Sequence, residues 1–393
     1  MTYDAVIIGA GPAGSTTALL LAKAGWSVAL VEKARFPRRK VCGEFISATS
    51  LPLLHTLGVG QSFLQHAGPP VRRVGLFAQD AELAANMPQV LSGEPWGRAL
   101  GREHLDNLLR DAAMAAGAEL WQPWRAVALT QMDDGYAITL RGEGTRDLAA
   151  RVVIAAYGSW EQQPWGAAAD HADTDLLAFK AHFTHCDLPP DLMPLLAFPG
   201  GYGGLVHTND GRTTLSCCIR RDVLRLCRAR NGTAQAGDAV LQHVMASCAG
   251  VRNVLRGATR EGPWLAAGPI CPGMRARYRD GMFYVGNIAG EAHPIVAEGI
   301  SMAMQSAALL CGRLAPCRKL VGSARVRTQI GRRYDTDWRA AFSVRLRAAA
   351  LFAGLAVRPL SAVLGLHLLE ACPRLLSWGA VLSGKSKPLL RTG

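Results

Sequence analysis

Residues Tyr3 to Glu32 read YDAVIIGAGPAGSTTALLLAKAGWSVALVE, and no other stretch constrains the fold so tightly. Gly9-Ala10-Gly11-Pro12-Ala13-Gly14 keeps a G-x-G-x-x-G spacing between an apolar run, Ala5 to Ile8, and a helix-forming stretch from Ala13 to Ala24. Gly25 stands where a helix stop is expected, and Ser27 to Val31 reads as a second strand that ends on Glu32. Each residue type has a mechanical reason. Gly9 permits the tight turn, Gly11 lets backbone approach a pyrophosphate, and Gly14 allows helix to pack closely on strand. The helix start at Pro12 and Ala13 offers N–H groups and partial positive charge to phosphate. Glu32, with Lys33 beside it, is placed to meet ribose hydroxyls. A β-α-β unit of this form predicts a bound dinucleotide.

A length of 393 residues leaves room for about two or three lobes. The formal charge of +13 is unevenly spread: from Arg318 onward, fourteen Lys and Arg face only Asp335, Asp337 and Glu370. The basic balance belongs to this tail, and without an RNA or DNA motif beside it no nucleic-acid partner is expected. Ten irregularly spaced cysteines do not form a disulfide framework, and no signal-peptide pattern precedes Tyr3, so a reducing, cytoplasmic setting is expected. Strand alternation would split His182 and Cys186 from His185, so no metal site is expected there. The longest apolar stretch, Ala348 to Leu369, is broken by Arg358-Pro359 into pieces short of the ~20 residues that span a bilayer.

Further along, residues 51–67 look helical, and Val71 to Asn86 supplies strands for a second sheet. Gly101-Arg102-Glu103-His104-Leu105 opens a helix with Leu105, Leu108, Leu109 and Ala112 at helical spacing. Strand-like runs follow near Ala126–Leu129, Tyr136–Leu140 and Arg151–Ala156. From Leu176 to about Leu265 the pattern becomes that of a mixed, antiparallel lobe. Ala178–Thr184 and Thr213–Ile219 read as strands, Pro199 to Gly204 as a turn between them, and Asp238–Cys248 as a helix. Met282 to Gly286 returns to a buried strand, and a helix begins near Gly299.

Three separated segments carry a resemblance: the N-terminal turn, Gly101 to Leu109 (GREHLDNLL), and Tyr284 to Pro294 (YVGNIAGEAHP) running into Glu298-Gly299-Ile300. Together they resemble the FAD-dependent oxidoreductases of the glutathione-reductase-2 type, which include para-hydroxybenzoate-hydroxylase-like monooxygenases, flavin halogenases and geranylgeranyl reductases. The resemblance implies an α/β fold: a Rossmann-type FAD-binding domain (1–75, 98–160 and 266–317), a mixed β-sheet substrate domain (76–97 and 161–265) and a basic helical C-terminal region (318–393). It also implies FAD as cofactor. Gly286 and Asn287 would meet the ribitol, with Asn where the family usually has Asp, and Gly299 and Ile300 would bring a helix start to the flavin ring. Arg102 would meet the pyrophosphate. Tyr157-Gly158 stands where many flavin hydroxylases carry Asp-Gly.

Arg39 to Glu44 resembles the Cys-Gly loop of geranylgeranyl-reductase-like enzymes, where the cysteine lies near the flavin. Cys42 follows Arg35, Arg38, Arg39 and Lys40, cations able to lower a thiol pKa. Tyr202 and Gly203 fall in a segment similar to that subgroup's substrate-lobe motif. The Trp-x-Trp-x-Ile-Pro signature of halogenases does not occur. Cys42, Glu44, Glu291 and His293 are therefore the candidates for proton handling. The expected function is an FAD-dependent oxidoreductase acting on a bulky apolar substrate of isoprenoid, polyketide or acyl type, free or carrier-bound. A flavin monooxygenase of secondary metabolism and an FAD-carrying electron-transfer protein are the alternatives. With no second glycine fingerprint, NAD(P)H would visit only transiently. Arg318, Arg325, Arg332 and Arg339 recur every seven residues, which predicts a basic helical face suited to an acyl-carrier protein or to the inner face of a membrane.

Overall fold

The computed structural model describes residues 2–90, 94–159, 172–230 and 235–386. Its first sheet is built around Thr2–Ile8, buried on both faces after its first residue, as expected of a central parallel strand. Val28–Val31 flanks it on one side and Thr145–Ala155 on the other, both parallel, with Glu119–Trp121 and Met282–Tyr284 extending the two edges. Arg125–Met132 and Gly135–Arg141 form a meander on Thr145–Ala155. Helix α1 (Pro12–Lys23) packs over this sheet, and Gly25 takes a left-handed φ of 80° just past its end. Helices α2 (Leu51–Leu57) and α3 (Gly60–His66) follow as two short pieces, and α4 (Arg102–Ala115) buries Leu105, Asp106, Leu109 and Ala113 against α1.

A second sheet has the order Thr259–Ile270, Leu176–Thr184, Thr213–Arg220, Gly201–His207, Leu192–Phe198, Arg73–Ala78 and Ala81–Asn86. It is antiparallel except where Leu192–Phe198 runs parallel to Arg73–Ala78. Its outer face packs Phe179, Phe183, Leu196 and Leu215 against α5 (Arg221–Arg230), α6 (Ala236–Ser247) and α7 (Ala249–Val254), forming a separate apolar core. One expectation is corrected here. Gly201 to Gly204 is not a turn but the start of a strand, and the turn is confined to Pro199 and Gly200, the latter at φ 75°. Small residues are required because neighbours crowd them: a Cβ on Gly201 would lie 2.4 Å from the Cys218 carbonyl oxygen. The second sheet runs from Arg73 out to Ile270, which pairs with Leu176 beyond Gly268-Pro269.

The chain then returns through α8 (Gly299–Leu314), which packs beside α1. Helix α9 (Ala324–Val357) buries Tyr334, Trp338, Phe342 and Ala349, and the Tyr334 hydroxyl donates to the Tyr284 carbonyl at 3.0 Å. It is followed by α10 (Pro359–Ala371) and α11 (Arg374–Leu382). The break at Arg358-Pro359 is present, but the helix before it is longer than the apolar pattern implied, because the arginine-bearing segment upstream continues it. One 18-residue window of α9 has mean hydropathy 1.5, long and apolar enough by length and composition alone to cross a membrane, with a third of it buried in the protein. Of the heptad arginines, Arg325, Arg332 and Arg339 lie exposed on α9. Arg318 precedes the helix and bonds Asp4 at 2.8 Å. The last seven residues of the predicted basic region lie outside the described residues, as do 160–171 at the predicted boundary between the two lobes.

Candidate active site

The carboxyl ends of Thr2–Ile8, Val28–Val31 and Thr145–Ala155 open into a cleft, where parallel sheets of this kind place their ligands. It encloses about 1310 Å³ of empty space including its open mouth. Every position read as cofactor-binding lines this cleft except Gly14. Gly14 instead sets helix against turn: a Cβ there would fall 1.8 Å from the Gly9 carbonyl oxygen.

Gly11 precedes α1 without any side-chain cap, so the first-turn amides of Ala13 and Gly14 have no carbonyl partner inside the helix. A Cβ on Gly11 would point into open space between two guanidiniums, with Arg102 Nη2 and Arg38 Nη2 both 3.8 Å away. Asp106, fully buried, holds Arg102 through Nε at 2.7 Å and Nη2 at 2.8 Å, and lies 3.7 Å from Arg38 Nη2. Burial alone would lower the Arg102 pKa, but Asp106 outweighs it and, with Cys42 adding, drives the pKa up. Arg38 Nε is buried and has no hydrogen-bond partner among the described residues. A helix N-terminus and two fixed guanidiniums converging on a side-chain-free gap fit the diphosphate of FAD.

Glu32 is already a fixed acceptor. Its oxygens take the Ala10 and Ala34 amides at 2.9 and 3.0 Å, and Arg38 Nη2 lies 3.1 Å from Oε2. A ribose would share the remaining lone pairs. Lys33 is exposed at the rim. Asn287 donates through Nδ2 to Glu291 Oε1 at 3.1 Å, which leaves its amide oxygen as the acceptor for a ribitol hydroxyl. Gly299 and Ile300 open α8 against the same cleft.

A second cavity, about 970 Å³ including open space, shares Val41, Cys42, Asn287, Gly299 and Ile300 with the cleft as a common wall. Its lining is mostly apolar, including Ala178, Met193, Leu195, Leu205, Val206 and Ile270, with Gly203 and Gly204 leaving part of it bare. Few polar groups enter. The Tyr202 hydroxyl is 3.1 Å from His293 Nδ1. Burial, with Cys218 and Glu291 adding, holds the Tyr202 pKa well above its ordinary value, and burial lowers that of His293. Burial also raises the Glu291 pKa, against opposing bonds from Ser159 and Arg275.

Residues 2–329 match the FAD binding domain family. The chain belongs to that family. As its member, the protein is an FAD-dependent oxidoreductase. Among curated relatives, it is 25% identical to digeranylgeranylglycerophospholipid reductase 2 of Methanopyrus kandleri, over 92% of this chain and 90% of that protein. It is 31% identical to menaquinone reductase of Mycobacterium tuberculosis, but only over 40% of this chain and 38% of that enzyme. In fold it is similar to a geranylgeranyl bacteriochlorophyll reductase-like protein from Thermoplasma acidophilum (TM-score 0.70, 18% identity, 100% of this chain and 94% of that one). It is likewise similar in fold to the flavin-dependent brominase Bmp2 (TM-score 0.75, 17% identity, 98% and 94%).

Within this FAD site the proton-handling candidates separate. Cys42 stands on the wall common to both cavities, half-buried, with the Glu44 amide 3.4 Å from its sulfur and the Arg102 guanidinium beside it. Glu44 is enclosed by donors rather than facing the cleft freely. Fully buried and at φ 63°, it receives Lys180, His182 Nε2 at 3.0 Å, Thr214 Oγ1 at 2.6 Å and the Arg102 amide at 2.9 Å. Burial would raise its pKa, but His182 and Lys180 overcome that and hold it at about 2. It ties the Cys42 loop to the second sheet. His293 bonds across to Tyr202 rather than within its own loop.

Sequence reasoning missed Trp124, Arg125 and Ala126, which line the cleft behind the edge strand Glu119–Trp121. Their signal was topological: the chain leaving any parallel strand of this sheet at its carboxyl end faces the ligand. Lys180 was missed too, although a lysine between Phe179 and Ala181 in an apolar strand is itself a sign of a buried partner.

Proposed function

We propose that this FAD enzyme is a reductase acting on a carbon–carbon double bond of a long apolar substrate of isoprenoid, polyketide or acyl type. The observation that carries the reading is the common wall. A cavity with a mostly apolar lining opens onto the dinucleotide cleft at Cys42, Asn287, Gly299 and Ile300. The bound cofactor supplies the hydride, drawn from an external reductant such as NAD(P)H. The chain does the rest. Arg38, Arg102 and the first turn of α1 hold the diphosphate, and the start of α8 presents N–H groups and partial positive charge to the flavin end. The apolar walls exclude water. The proton for the second carbon comes from Cys42 on the wall or from Tyr202, whose hydroxyl is backed by His293. Glu44 keeps the loop in place and does not titrate in the working range.

The named relatives that reduce a geranylgeranyl lipid and a quinone support an apolar substrate. The test is an anaerobic incubation of the reduced holoenzyme with a polyunsaturated isoprenoid lipid. A product heavier by one dihydrogen supports the reading. A product that forms only with oxygen and gains one oxygen atom replaces it with the monooxygenase alternative.

A further inference from the structure

We propose that α10 and α11 form a docking face for an anionic lipid bilayer, set over a chamber that leads to the reaction cavity. Of the fourteen large apolar side chains that stand exposed among the described residues, nine fall between Val344 and Leu382. Leu364 is 74% exposed and Leu368 59%, one turn apart on α10; Trp378 is 69% exposed and Leu382 48%, one turn apart on α11. Basic residues border them. Arg347, Arg358 and Arg374 are exposed, and between Trp338 and Ser386 the only acid is Glu370. At 13 and 9 residues, both helices are shorter than the ~20 residues needed to span, so they lie in the plane of an interface. Apolar stripes bordered by arginines, with an outward tryptophan, match a helix seated at the headgroup level of an anionic leaflet.

What lies beneath gives the face a purpose. The inner sides of the same helices, at Leu366, Leu369 and Leu376, line an apolar chamber of about 980 Å³, open space included, over Val74 and Leu76. The chamber and the reaction cavity share Met193, Leu195 and Ile295. A lipophilic molecule leaving the bilayer would thus pass under the helices toward Cys42 along apolar walls. The docking face stands on its own geometry; only this delivery step rests on the proposed function.

The test is flotation of the FAD-loaded full chain with phosphatidylcholine vesicles, and with vesicles also containing phosphatidylglycerol. The wild-type protein floats with the anionic vesicles, less at high salt. Combined Leu364→Ser, Leu368→Ser and Trp378→Ser substitutions lower binding at least about tenfold, with an unchanged melting temperature because all three side chains are exposed. Arg347→Glu with Arg374→Glu removes the preference for anionic lipid. Equal flotation of wild type and triple variant overturns the proposal, as does no flotation of either. So does a wild-type dimer, seen by light scattering, that the triple variant dissolves while neither floats. Loss of turnover in the triple variant on vesicle-embedded substrate, with detergent-dispersed substrate still reduced, supports delivery. Flotation without turnover of any substrate leaves docking standing and defeats the reductase reading.

Discussion

Lys385 Nζ lies 2.7 Å from Glu298 Oε1, joining the end of the described chain to the residue immediately before α8. The same ammonium donates to the Val296 carbonyl at 2.6 Å, and Arg345 Nη1 lies 3.8 Å from the second Glu298 oxygen. Glu298 is fully buried, so removing the lysine leaves a carboxylate with one distant cation. Lys385→Met is expected to cost about 3–5 kcal/mol and to lower the temperature at which flavin fluorescence is released. A double-mutant cycle with Glu298→Gln should recover much of the loss. Additive effects in that cycle would show that the two residues do not act as a pair.

Gly11 and Gly14 should fail in different ways. Gly11→Ala adds a methyl group to the gap between Arg38 and Arg102, where nothing lies within 3.8 Å. The apoprotein should melt as wild type does but lose FAD on gel filtration. Gly14→Ala collides with the Gly9 carbonyl and should lower apoprotein stability as well. Arg102→Ala, which leaves the backbone alone, is expected to weaken FAD binding by about 10- to 100-fold. Titration calorimetry with FAD measures all three, and retention of tight FAD by Gly11→Ala would move the diphosphate elsewhere.

The Glu44 cluster predicts a pH signature. Its folded pKa of about 2 is below the ordinary 4.5, so the stabilisation is complete above pH 4.5 and is lost as pH falls toward 2. Glu44→Gln leaves Lys180 buried beside a neutral amide and should cost about 3–5 kcal/mol at neutral pH. The gap between wild type and variant in urea midpoint should close across that acid window. A gap independent of pH would mean that the carboxylate is not ionised in the native protein.

Tyr202→Phe separates chemistry from packing. The lost hydrogen bond to His293 is worth about 1 kcal/mol in stability, and FAD content should not change. Turnover should fall by about a hundredfold if the hydroxyl delivers the proton. Burial keeps the His293 pKa below its ordinary 6.5, so the wild-type rate should decline on the acid side with a midpoint under that value. An unchanged rate in Tyr202→Phe would leave Cys42 as the donor.

The cofactor half of the site was legible because it depends on local backbone demands. Gly9, Gly11 and Gly14 are required by a turn, a close approach and a packing contact that all fall within one β-α-β unit. Asp106 was not legible as the holder of Arg102, since an acid one turn along a helix usually faces solvent. Glu44 was read as an acid near the flavin because its partners, Lys180, His182 and Thr214, arrive from strands more than a hundred residues later. The Gly200 to Gly204 segment was misread for a related reason. Glycines suggest a turn locally, and only the neighbouring Phe198 and Cys218 show that a strand had to be stripped of side chains to fit.

That stripped strand also shapes the cavity wall. A Cβ on Gly203 would crowd the Ser216 carbonyl at 2.6 Å, whereas one on Gly204 meets only the Pro194 carbonyl at 3.3 Å. Successive residues of a strand point to opposite faces, so of this pair only Gly204, which lies opposite the cavity-lining Leu195, is directed at the cavity. A methyl group at position 204 would therefore intrude on that cavity, and the Pro194 carbonyl would have to yield by a few tenths of an ångström to admit it.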